Sequence, residues 1–154
     1  MEIEFDNLSQ KTVSFSEFPL SWRFESTTSQ EDLEGFLPLS QDGSVFLSKF
    51  LKSKNLHDSF PFRSGIFKNI ELFNTVNRQS VEVRDWLSSK LKDPDKAIYL
   101  HWDLITSAIV TSKTFVKYYD DFRYLDSDDL TVFDKELNWA FLFFHTGQIY
   151  FGET

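Results

Sequence analysis

The chain ends on three short runs, "LTVF", "NWAFLFF" and "QIYFG", separated only by "DKEL" and "HTG". All three are rich in the β-branched and aromatic residues that pack well on a pleated surface. They read as a C-terminal β-meander, with Gly147 available for a positive φ in the second turn. Upstream, "AIYLHW" and "TSAIVTS" have the same character and read as two strands of the sheet core. "EIEF" and "TVSFSEF", joined by a turn at Asp6 and Asn7, suggest a further pair near the N-terminus. Pro61 and Gly65 break any helix in "FPFRSGIFKNIELFN", and Ile66 to Phe73 is read as a strand.

Helical spacing appears in four places. Ser29 can cap a helix that carries Glu31 and Asp32 in its first turn and stops at Pro38. From Ser40 or Asp42, the residues Phe46, Leu47, Phe50 and Leu51 line one face. Val83, Trp86, Leu87 and Leu91 line another helix, closed by Asp93 and Pro94. Ser112 can cap a fourth, with Phe115, Tyr118 or Tyr119, and Phe122 on one side.

The pattern predicts one α+β domain over residues 1–154. Its expected form is a mainly antiparallel sheet of about five or six strands, ending in the meander, with helices packed on one side. Trp86, Trp102, Trp139 and Phe143 are expected in the core. The eighteen Phe, four Trp and five Tyr, against five Gly and four Pro, concentrate the apolar content in large planar side chains. No repeat or low-complexity linker divides the chain.

Charge and cysteine usage exclude several functions. A net charge of −8 argues against nucleic acid and anionic membranes, which need clustered Lys and Arg, and makes a basic protein the natural partner. With no Cys there is no disulfide framework, thiolate metal site or cysteine nucleophile. The acidic start "MEIEFDNLSQ" lacks a signal-peptide pattern and no window is long and apolar enough to span a bilayer, so a cytoplasmic protein is expected. There is no G-x-S-x-G elbow and no glycine-rich phosphate loop, "SSKLK" lies in helical context without the strained turn that exposes a nucleophile, and no cofactor is expected. His57, His101 and His145 show no metal-ligand spacing, and His101 reads as a core-edge residue with one hydrogen-bond partner.

One constellation remains, "KTFVKYYDDFRYLDSDDLTVFD" at residues 113–134. "DSDD" lacks the glycine and the closing glutamate of an EF-hand loop. Asp126, Asp128 and Asp129 are good turn and cap residues before "LTVF". Asp120 and Asp121 are expected in the last turn of a helix, where the macrodipole disfavours anions, and Lys117 and Arg123 offset this only in part. That conflict marks a surface kept for an external cation. Its expected contact residues are Tyr118, Asp120, Asp121, Tyr124, Asp126, Asp128 and Asp129, carboxylates beside aromatic anchors. Two alternatives stand beside this non-enzymatic reading: a divalent-metal-dependent hydrolase using the same aspartates, and a small-ligand module using an aromatic sheet face.

The stretch "TFVKYYDDFRYLDSDDLTVFD", followed by "WAFLFFHTGQIYFG", resembles the C-terminal half of small acidic bacterial immunity proteins of contact-dependent and polymorphic toxin systems. The resemblance covers roughly residues 97–152. It implies a cytosolic protein that binds one cognate toxin domain, often a basic nuclease, by charge and shape complementarity.

Overall fold

The computed structural model describes residues 2–24 and 28–154. Seven strands form one antiparallel sheet in the order β1-β4-β3-β5-β6-β7-β2. The strands are β1 (Phe36–Pro38), β2 (Asn69–Asn74), β3 (Ala97–Asp103), β4 (Thr106–Thr111), β5 (Leu130–Phe133), β6 (Trp139–Phe143) and β7 (Gln148–Glu153). The helices are α1 (Gln30–Leu33), α2 (Gln41–Ser53), α3 (Ser80–Lys90), α4 (Ser112–Lys117) and α5 (Tyr119–Phe122). The α+β class, the antiparallel sheet and the C-terminal meander β5-β6-β7 match the sequence reading.

Helices cover both faces of the sheet rather than one. Strand β3 shows why, since its apolar residues alternate without a polar face. Ile98 and Leu100 enter one core with Val83 and Leu87 of α3 and Phe115 of α4, whereas Tyr99 enters the other with Leu47 and Leu51 of α2. A central strand that is apolar on both sides must be covered twice.

The N-terminal segments are 3₁₀ turns, Phe5–Gln10 and Phe15–Glu17, instead of the expected strands. Side chains satisfy their amides locally: Asn7 Oδ1 accepts from Glu4 N–H at 2.8 Å and Glu17 Oε1 from Ser14 N–H at 3.4 Å. Local bonds of this kind compete with a sheet ladder. Ser29 and Ser40 cap α1 and α2 as expected, but Thr111 caps α4 in place of Ser112. Helix α1 stops at Leu33, and Phe36 to Pro38 becomes an edge strand, a position where proline costs no ladder hydrogen bond on its outer side.

Of the four expected core residues, Phe143 is fully buried. Trp86, Trp102 and Trp139 are only partly buried against the same core. An indole N–H needs an acceptor, and Trp86 Nε1 finds Glu71 at 3.0 Å while Trp102 Nε1 finds the Phe122 carbonyl at 3.1 Å. Among the described residues, no helix is long and apolar enough to cross a membrane.

Candidate functional site

The expected single helix over 112–122 is broken at Tyr118, whose φ of −114° and ψ of 24° separate α4 from α5. Tyr118 is buried, and its hydroxyl donates to the Asp32 carboxylate, which Lys117 also contacts at 2.7 Å. Those two hydrogen bonds hold the Asp32 carboxyl at about 2. The break places Asp120 and Asp121 in the first turn of the four-residue α5, so the helix-end conflict expected from the sequence is absent. Asp120 is exposed, and its carboxylate has no basic partner among the described residues. Burial, with Asp120 alongside, pushes the Asp121 carboxyl up.

Asp128 is a structural residue. Its carboxylate meets Arg23 in a fork, Nη1 at 2.5 Å and Nη2 at 3.2 Å, and also accepts the Tyr124 N–H at 2.9 Å. Burial alone would raise this carboxyl, but the Arg23 and Tyr124 hydrogen bonds outweigh it and hold it below the usual value. The Arg23 guanidinium lies 3.8 Å from the Tyr124 ring centroid, and Trp22 packs edge-on against the same ring at 5.6 Å. Trp22 itself is 58% exposed. Asp129 also works within the fold, accepting from His145 N–H and pairing with His145 Nδ1, both at 2.9 Å. Asp126 takes a left-handed φ of 69°, and its amide donates to the His145 carbonyl.

Of the seven residues singled out in the sequence, Tyr118, Asp128 and Asp129 are thus tied to partners inside the protein. Asp120, Asp121 and Asp126 remain as carboxylates without an ion-pair partner, with Tyr124 half-buried between them and Trp22. The aspartates form no metal cage: among the described residues, no group of three or more His, Asp or Glu side chains is placed to hold an ion. No family model, curated protein or solved structure matches this chain.

Sequence reasoning missed Trp22 and Arg23, because "PLSWRFES" has no periodicity that separates an exposed aromatic from a core one. It also treated the histidines as unrelated. His57 and His101 line one cleft of about 500 Å³ on the α2 face, alongside Thr131, Leu142, Phe60 and Phe144. The Pro61 carbonyl can only accept, so His57 carries its proton on Nδ1 (2.8 Å), and Nε2 accepts from the Thr131 hydroxyl at 2.9 Å. His101 has the one expected partner, the Ser107 hydroxyl at 2.8 Å. Burial lowers the His101 imidazole to about 4, so it is neutral at pH 7, and partial desolvation in the cleft lowers that of His57, whose side chain keeps exposed surface.

Proposed function

We propose that this chain is a non-enzymatic binding protein of the immunity type. It engages a basic protein domain through the face centred on Trp22 and Tyr124 and rimmed by Asp120, Asp121 and Asp126. One observation carries the reading. Trp22 projects into solvent from a platform already fixed by the Tyr124, Arg23 and Asp128 stack. A large aromatic held rigid before binding loses little side-chain entropy in the complex, and Trp and Tyr are the residues most enriched at binding hot spots. Unpaired carboxylates around it give the charge complementarity that speeds association with a cationic partner. The overall charge of −8 acts in the same sense.

Calorimetry on the chain with a toxin domain encoded beside it tests the proposal. Trp22→Ala should weaken binding by about 2 kcal/mol or more. Asp120→Asn with Asp121→Asn, at the rim, should slow association and make binding less dependent on salt than in wild type. Thermal melts of both variants should stay within about 0.5 kcal/mol of wild type. Unchanged affinity in both would move the face elsewhere, and no binding to the basic domain at all would sink the immunity reading.

A further inference from the structure

Next to the acidic rim, the protein buries a positive charge that no direct ion pair neutralises among the described residues, Asp128 and Asp120 acting on it only at longer range. Arg123 is 4% exposed and has no carboxylate within ion-pair distance among the described residues. Its Nε is sealed from solvent without a hydrogen-bond partner, and only Nη2 finds one, the Thr75 hydroxyl at 3.3 Å. Burying an ion in this way is costly unless a counter-charge arrives from outside. Arg123 lines a pocket of about 400 Å³ whose other polar side chains, Asp120 apart, are Arg78 and the hydroxyls of Thr75, Ser80, Tyr119 and Tyr124. Arg78 stands at its side, fixed by Nε to the Asn74 carbonyl at 3.1 Å, by an exposed pair of Nη1 with Glu82 at 3.3 Å, and by stacking 4.6 Å from the Phe73 ring. Helix α3 begins at Ser80 on the pocket wall; its N-cap Gln79 offers no side-chain hydrogen bond and the Glu82 N–H already donates to the Gln79 carbonyl at 3.0 Å, which leaves the Ser80 and Val81 amides for a ligand.

Asp120 is the exception on this wall. A carboxylate there repels a dianion and attracts a cation, so the pocket suits a ligand with one negative group at Arg123 and one positive group at Asp120. We infer that this pocket binds a small zwitterionic carboxylate of the α-amino-acid class, its carboxylate held by Arg123, Arg78 and the start of α3, its ammonium by Asp120.

The test uses the isolated protein, so it is independent of any protein partner. Melting curves are recorded with each free L-α-amino acid, with propionate and with inorganic phosphate, at millimolar concentration and matched ionic strength. At least one amino acid should raise Tm saturably by several degrees, through mass action on the folded state. Arg123→Met should abolish that rise while leaving the unliganded protein as stable as wild type or more so, because it removes a buried, unpaired charge. Arg78→Gln, at the exposed side, should weaken the response at least tenfold in apparent Kd. Asp120→Asn should weaken amino-acid binding and leave propionate unchanged or tighter. A response to phosphate but not to amino acids would overturn the assignment. So would no response to any amino acid, or an unliganded Arg123→Met that melts well below wild type, since Arg123 would then be a structural donor.

Discussion

Asp128→Asn separates a structural role from a binding role within the acidic stretch. The change keeps the oxygen that accepts the Tyr124 amide but removes the charge facing Arg23, whose side chain is 5% exposed against 11% for Asp128. Breaking a buried pair by neutralising one partner costs about 3–5 kcal/mol, because the other ion stays desolvated. Contact of Arg23 with the Tyr124 ring at 3.8 Å is present in both proteins and cancels from the difference. A loss of that size corresponds to about 6–20 °C in Tm for a domain of this length. Urea titration measures it directly. The pH dependence adds a second readout. The Asp128 carboxyl is held below its usual value in the fold, so its contribution is full above the unfolded value near 3.9 and is lost as pH falls through the lower folded value. The variant should therefore lose part of the wild-type fall in stability at acid pH. A cost under about 1 kcal/mol at pH 7, with the acid limb unchanged, would refute the argument that this pair fixes the Trp22 platform.

Two further outcomes test the fold itself. Gly152→Ala should destabilise by roughly 1–3 kcal/mol in denaturant titration, because the added Cβ would lie 2.3 Å from the Phe67 ring that covers β7. His101 should make stability rise with pH. Its folded value of about 4 lies below the unfolded one near 6.5, so stability on the order of 3 kcal/mol is full above pH 6.5 and drains away between there and pH 4, a slope that His101→Gln should remove in pH-resolved melts.

The meander, the α2 face and the Ser29 and Ser40 caps were legible because each rests on a local code: alternation, helical spacing, or a hydroxyl ahead of a helix. The N-terminal turns were not, since "TVSFSEF" alternates like a strand while its Ser14 and Glu17 close a capping box that the alternation hides. The acidic stretch was legible as special but misplaced in cause. Its meaning depends on Arg23, 105 residues from Asp128 in the chain, and on Asp32, 86 residues from Tyr118. No local pattern announces pairings at that distance. Arg123 was read as a partial offset for neighbouring aspartates, yet the fold buries its guanidinium without a direct ion pair among the described residues, and Asp128 and Asp120 act on it only at longer range.

The sheet order has a consequence for how the chain is made. All five central strands lie between Ala97 and Glu153, whereas the N-terminal half supplies the two outer strands and the covering helix α2. A ribosome therefore delivers the lid before the box. Leu47, Leu51, Leu56, Phe62 and Phe67 leave the exit tunnel with no surface to land on until the last strands follow. At elongation speeds of about 5–20 residues per second, that apolar half waits several seconds in water. Newly made chains should accordingly be clients of chaperones that hold unfolded segments, and they should fold only once β7 has emerged.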